Sequence, residues 1–429
     1  MSLSRSCSAG LVLHCHHQSY LRENIIWSKR NLSVDHLMAS TIKHPKYPSF
    51  VHLSTRGTFY DVGYNVGVSF SRQLQCFFAE SKDIQNKLLP FYDSSFGRQY
   101  FEESLKVTQE CFPRYIREVQ GMSDGSGIPF AHLFMNNVSK EVYNVLLDPL
   151  YKEKESLQKN KADKEKSIDN FGCSDVFINR PDLKVIVHNE DCDPLMKPYG
   201  YLLSADIEDD GVKEEFSAFC YPGYLPGCAF GFNAHGLTIS VDGLYPDKIT
   251  RNSPGRIFLN RALLSAKDIQ DACHILENEP FGTSFAFCAN ISTAEHEMYS
   301  IEVGPNKPKS DLHIYQIQEQ SDVSKPCHYY HFNSYQHLPV LEARPLLSSK
   351  ARKKRSDELP PPRTLEDALQ VMSDSENNLF PIFRAPGPAD SAETVSTTVF
   401  DVLTRKVFIY QGKPAAVSNK PIINLPMYI

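Results

Sequence analysis

The chain has no excess of basic charge, no paired-cysteine motif and no apolar run long enough to cross a bilayer. Its 429 residues carry 45 Lys and Arg against 51 Asp and Glu, a formal net charge of −6 and a pI of about 6.2. Nucleic-acid binding needs clustered cations to neutralise phosphates, so this balance argues against that class of partner. The one basic run, Lys350-Ala351-Arg352-Lys353-Lys354-Arg355, reads as the solvated face of a helix. Eleven cysteines are present, but none form a CxxC pair or any metal-ligand spacing, so neither a metal nor another cofactor is expected. An odd count in a long chain favours reduced thiols in an intracellular compartment over a disulfide scaffold. No apolar run approaches the roughly 18 residues that span a membrane. Residues 1–22 lack Asp and Glu and include Arg5 and Arg22. That gives a faint likeness to an organellar transit segment, so the cytoplasm is the expected location and mitochondria the alternative.

Three segments follow from the pattern. Residues 1–45 show no clear periodicity and are expected to form a leader outside the core. Residues 46–172 are mainly helical. Phe59, Val62, Val66 and Phe70 recur at helical steps. Gly63 and Gly67 interrupt that helix at up to about 1 kcal/mol each relative to Ala, and close packing against another element would explain them. Further helices are predicted at 99–108, from Pro113 toward Met122, and from Pro129 to Tyr143, with a turn at Ser123-Asp124-Gly125-Ser126-Gly127. Residues 152–169 are mostly charged and polar and read as an exposed linker. Residues 173–429 are dominated by strands. The first two, Ser174 to Ile178 and Lys184 to Asn189, flank the turn Asn179-Arg180-Pro181-Asp182. Helices are predicted at 256–264, 266–276 and 365–372, the last capped by Thr364. Helices followed by antiparallel strands suggest an α+β fold of stacked helical and sheet layers.

The most informative point is Gly172-Cys173, where the linker meets the first strand. A thiol after a residue without a side chain can reach the carbonyl just before it. Polar groups gather downstream in His188-Asn189-Glu190-Asp191, eighteen residues past Cys173 at Asp191, a separation that a hairpin closes. A carboxylate there would orient a thiol or amine and tune its pKa; a solvated acidic turn is the competing reading. A second polar site lies at Ser240 and Asp242, at the end of the predicted strand after Ala234-His235-Gly236.

Several segments together resemble the acyl-CoA:6-aminopenicillanate acyltransferase family of self-processing N-terminal-nucleophile (Ntn) enzymes. These are Arg56-Gly57 with Gly63 and Gly67, Glu118-Val119-Gln120-Gly121-Met122-Ser123-Asp124-Gly125, Gly172-Cys173-Ser174, Asn189-Glu190-Asp191, Gly231-Phe232-Asn233 with Gly236-Leu237, Ser349, Arg352 and Arg355, and Glu393-Thr394-Val395-Ser396. The resemblance implies a four-layer αββα sandwich and cleavage between Gly172 and Cys173 into α and β chains that stay associated. It implies Cys173 as nucleophile and Asp191 as the partner of its freed amine. It also implies an oxyanion role at Asp242, where the family commonly has Asn. Asn189, Ser284 and Arg384 are candidate supporting residues, and an ion pair is the alternative for Arg384.

The expected activity is hydrolysis of a small-molecule N-acyl amine, such as a β-alanyl-amine, through an acyl-enzyme. Two alternatives remain open: transfer of an acyl group from an acyl thioester such as acyl-CoA to an amine, or an unprocessed, inactive binding protein. An ionised Asp242 would repel an oxyanion, which is what keeps the last alternative.

Overall fold

The computed structural model describes residues 51–147, 172–322, 324–343, 346–387 and 390–427. The leader and the linker expected at 1–45 and 152–169 lie outside the described residues.

The chain enters through strand β1 (Val51–Gly57) and a run of helices: α1 (Phe59–Ser69), α2 (Ser71–Glu80), α3 (Leu89–Asp93), α4 (Ser95–Cys111), α5 (Pro113–Ser126), α6 (Phe130–Asn137) and α7 (Ser139–Leu147). Helix α1 starts at a capping box in which the Thr58 hydroxyl accepts the Asp61 N–H while the Asp61 carboxylate accepts the Thr58 N–H. Its glycines answer the puzzle of their cost. A Cβ on Gly63 would stand 1.9 Å from the Glu118 carbonyl oxygen, and one on Gly121 2.1 Å from that of Tyr60. Gly67 and Gly125 repeat the pattern one turn on. Thus α1 and α5 touch backbone to backbone. The turn expected at 123–127 is a correction: α5 continues to Ser126, and the chain reverses only at Gly127, whose φ is 75°.

The remaining strands are β2 (Ser174–Arg180), β3 (Leu183–Cys192), β4 (Tyr201–Asp209), β5 (Val212–Cys220), β6 (Phe230–Asn233), β7 (Thr238–Gly243), β8 (Phe287–Ser292), β9 (Met298–Gly304), β10 (Asp311–Gln316), β11 (His328–His331), β12 (Glu393–Asp401), β13 (Lys406–Tyr410) and β14 (Ile423–Pro426). Between them lie helices α8 (Arg256–Leu263), α9 (Ile269–Glu277), α10 (Leu347–Glu358) and α11 (Leu365–Met372). One sheet has the order β1-β4-β5-β6-β7-β8-β9-β10 and the other β11-β2-β3-β12-β13-β14. β1 pairs with β4 in parallel, Val51 opposite Tyr201 through Gly57 opposite Ile207. The N-terminal segment therefore contributes a strand as well as helices. β1, β10, β11 and β14 were not foreseen from the sequence.

Side-chain alternation on the second sheet shows how the layers stack. Phe177, Ile186 and Phe400 join the large core shared with the first sheet. Their neighbours Val176, Ile178, Val185, Val187 and Val399 face away from it, onto Ala368, Val371 and Met372 of α11. β2, β3 and β12 thus bury both faces, as period-2 geometry requires of a strand between two layers. The order is helices, sheet, sheet, helices.

Candidate active site

Cys173 sits one residue before β2, and the β2–β3 register determines what it faces. Ser174 is opposite Asn189 and Asp175 opposite His188. Residues of even number on β3 point between the sheets, and those of odd number toward α11. Cys173 therefore meets Glu190: its thiol donates to Glu190 Oε2 at 3.7 Å. Glu190 is held in turn. The Tyr221 hydroxyl donates to Glu190 Oε1 at 2.6 Å, and His188 Nε2 lies 2.9 Å from Oε2. His188 Nδ1 lies 2.7 Å from Asp175 Oδ2, and Ser240 of β7 donates to Asp175 Oδ1 at 2.7 Å, crossing from one sheet to the other. All of these residues are buried. Burial alone would lower the His188 pKa, but the Asp175 charge and its hydrogen bonds outweigh that and raise it well above the usual value. Burial, with the Glu190 charge behind it, drives the Cys173 thiol far up.

The peptide on the other side of Cys173 is clamped. Its N–H donates to Asn333 Oδ1 at 3.0 Å. Arg352 Nη1 donates to the carbonyl of Cys173 itself, in the next peptide along, at 2.5 Å, and Arg352 Nη2 donates to Asn333 Oδ1 at 2.6 Å. Asn333 is fixed by its own N–H to the Ser349 hydroxyl at 3.1 Å and by Nδ2 to the Gly243 carbonyl at 3.0 Å. The basic run is therefore a partial correction. It does form helix α10, but Arg352 is 1 % exposed and points at the Cys173 carbonyl. The helix presents that guanidinium inward, because its charge finds acceptors there. Gly172 is required by space: a Cβ would lie 2.5 Å from Asn333 Oδ1 and 2.7 Å from Arg384 Nη1.

Asp191 faces the α11 side. Thr394 donates to its Oδ1 at 2.6 Å, and Arg384 Nη1 lies 3.8 Å from Oδ2. Burial pushes Asp191 up to about 7, against the pull of Arg384. Arg384 also grips Asp390 through Nε at 2.8 Å and through Nη2. The two readings of Arg384 thus meet: it forms an ion pair, and that pair abuts Gly172. Asp191, Gly172 and Cys173 line one small cavity with Glu190, Tyr221, Tyr245 and others, about 40 Å³ in volume.

The structure places the other candidates elsewhere. Asp242 accepts from Asn290 Nδ2 at 2.9 Å and lies 2.7 Å from His331 Nδ1; among the described residues it makes no hydrogen bond to Cys173. Burial and the Asp175 charge push Asp242 up to about 6. Asn189 ties β3 outward, donating to the Met372 carbonyl at 2.9 Å and accepting from Thr397 at 2.7 Å. Ser284 meets Tyr100 and pairs through its N–H with the Pro254 carbonyl; it is not among the residues lining the cavity. Three buried groups have ligand atoms close enough to hold a metal ion: Cys173, His188 and Glu190; Asp242, Cys288 and His331; and Asp175, His188 and Asp242. Sequence reasoning missed Asp175, His188, Glu190, Tyr221, Asn333 and Arg352 as site residues. A signal existed for three of them, since polar residues at 175, 188 and 190 fall on one face of a buried hairpin.

Residues 178–416 match the family described as acyl-coenzyme A:6-aminopenicillanic acid acyl-transferase, over more than half of the chain. The chain belongs to that family. The matched stretch holds Asp191, Asn333, Arg352 and Arg384, and starts just past Cys173. Among relatives of this acyl-transferase family member is a β-alanyl-dopamine/carcinine hydrolase of Drosophila melanogaster, 27% identical over 396 residues, spanning 89% of this chain and 97% of the relative. Solved structures similar to it include a penicillin V acylase from Agrobacterium tumefaciens, at 14% identity and a TM-score of 0.34 over 56% of this chain and 82% of that one. A variant of conjugated bile acid hydrolase from Clostridium perfringens matches at 11% identity and a TM-score of 0.36, over 59% and 92%.

Proposed function

We propose that the chain is the precursor of a cysteine amidohydrolase that cuts its own Gly172–Cys173 bond and then hydrolyses N-acyl amines. The observation that carries this is the clamped peptide. A buried thiol adjoins a glycine carbonyl, and guanidinium groups of Arg352 and Arg384 crowd that glycine. Positive charge close to a developing oxyanion is usually a large lever in acyl transfer, and both guanidinium groups stand beside Gly172. The doubt raised by Asp242 recedes, because its carboxylate is engaged by His331 and Asn290 rather than by the reacting peptide.

Cleavage would leave Cys173 with a free α-amine, of reference pKa about 7.7–8.0. Asn333 Oδ1 already accepts from that nitrogen, and Asp191 shares the cavity. The amine then takes the thiol proton, the thiolate attacks the substrate carbonyl, and the leaving amine carries the proton away. Water opens the resulting thioester. A cavity of about 40 Å³ holds little more than one water, so it has to widen before a substrate can enter. The Drosophila relative's name supports β-alanyl-amines as the first substrates to try.

The test is a denaturing gel of the purified chain followed by sequencing of the larger fragment, then assay with a β-alanyl-amine and with acyl-CoA plus amine. A fragment beginning at Cys173 and release of free amine are expected. An intact chain, unchanged over days and indistinguishable from Cys173→Ala, would refute the proposal. Product formed only from acyl-CoA would make the protein a transferase.

A further inference from the structure

The uncut chain lacks the base that the mature enzyme would use. Before cleavage the Cys173 nitrogen is an amide, and its hydrogen points at Asn333 Oδ1. It has no lone pair to offer, so something else must take the thiol proton for the first cut. His188 is also excluded by geometry. Both of its ring nitrogens face carboxylates, Asp175 at 2.7 Å and Glu190 at 2.9 Å, an arrangement that favours a proton on each. Asp191 shares the cavity with Cys173, but its Oδ1 accepts from Thr394 and its Oδ2 faces Arg384, whereas the thiol's hydrogen bond goes to Glu190. One acceptor remains against the sulfur, Glu190 Oε2 at 3.7 Å.

We propose that Glu190, held by His188 and Tyr221, is the catalytic base of self-cleavage, separate from the α-amine which that cleavage creates. The inference rests on the processing proposed above. The thiol proton passes to Glu190 Oε2. The sulfur bonds to the Gly172 carbonyl carbon, and the carbonyl electron pair moves to the oxygen. The oxyanion then collapses, the bond from that carbon to the Cys173 nitrogen breaks, and the proton on Glu190 goes to the departing nitrogen. The product is a thioester with a free amine. Water hydrolyses the thioester, returning the thiol and a Gly172 carboxylate.

The supporting atoms make sense as a holder for that oxygen. Tyr221 fixes Oε1, His188 fixes the carboxylate plane, Asp175 fixes His188, and Ser240 fixes Asp175 from the opposite sheet. The titratable groups that face Glu190 are Cys173, His188 and Tyr221 in direct contact, with Cys192 and Cys228 acting through space. A buried string of four charged or polar residues contributes little stability, but it sets the direction of one carboxylate oxygen.

The experiment follows cleavage of the full-length chain on denaturing gels from pH 6 to 9, for wild type and Glu190→Gln. The wild-type rate is expected to level off across this range. Glu190→Gln is expected to be slower by 100-fold or more, in line with the weight of a general base, and to rise about tenfold per pH unit as hydroxide takes over. A variant that cuts within threefold of wild type, with the same pH profile, would overturn the proposal. If Glu190→Gln does not fold, Glu190→Asp and Tyr221→Phe carry the test. Each keeps a carboxylate but misaims it, so cleavage at least fivefold slower supports the base, and wild-type rates for both overturn it. A wild-type chain that never splits overturns processing itself, whereas equal splitting of wild type and Glu190→Gln overturns only this base.

Discussion

At the scale of single residues, the site depends on where one oxygen or one hydrogen is aimed. Gly172→Ala is expected to block cleavage, because the added methyl would stand 2.5 Å from Asn333 Oδ1 and 2.7 Å from Arg384 Nη1. Normal self-cleavage of that variant would show that the clamp is looser than drawn. Asp242→Asn is expected to keep activity or raise it. An amide oxygen in place of Oδ2 still accepts from His331 and Asn290, and its nitrogen fills the position of Oδ1, which has no hydrogen-bond partner. Removing the Asp242 charge also eases ionisation of the Cys173 thiol, which that charge opposes. A loss beyond 100-fold in kcat/KM would assign the carboxylate a role of its own.

The elements explain why part of this was legible and part was not. Gly172-Cys173 stands out in sequence because it joins a charged stretch to an apolar strand. The partner was harder to name. Counting eighteen residues from Cys173 leads to Asp191, but hairpin register pairs Cys173 with Glu190, and a single-residue offset in a strand moves a side chain to the opposite face. Asn333 and Arg352 were invisible for another reason. They are some 160 and 180 residues from Cys173 in the chain, and only sheet and helix packing brings them to it. The basic run of α10 looked solvated since Lys353 and Lys354 are, while Arg352 between Ala351 and Lys353 turns inward. The α1–α5 contact was the reverse case, for Gly63 and Gly67 announced close packing. Gly63→Ala or Gly121→Ala should cost about 3 kcal/mol in urea unfolding, as a Cβ at either site meets backbone within 2.1 Å. An unchanged midpoint for both would mean that the helices can part without penalty.

For the whole molecule, one buried cation ties the layers together. Arg261 of α8 donates to Glu118 of α5 and to Glu214 of β5, each at 2.8 Å. Glu214 is shared with Arg114, whose Nη1 lies 3.5 Å from its Oε1, so Arg261 is the cation against Glu118. Burial pushes Glu118 up to about 7, despite Arg261. A carboxyl whose folded pKa exceeds its unfolded value of 4.5 stabilises the fold fully below pH 4.5, and that contribution is lost as pH rises through 7. Asp191 and Asp242 act in the same sense. Stability should therefore fall between pH 5 and 8, and Glu118→Gln should flatten the slope. Urea midpoints that climb across this window, or a variant that leaves the slope intact, would contradict the assignment.

The parallel pairing of β1 with β4 has a consequence for the protein's history. β1 precedes the proposed cut and β4 follows it, so the eight-stranded sheet would be completed by a strand from each fragment. Folding has to come first, as a single-chain event. Once the bond is cut, the same native state can be regained only by two molecules meeting, and the entropy of a joined chain is no longer available. Recovery from urea should then depend on concentration for the cleaved enzyme and not for Cys173→Ala. The working lifetime of the cut protein would be governed by how slowly it opens rather than by how well it refolds.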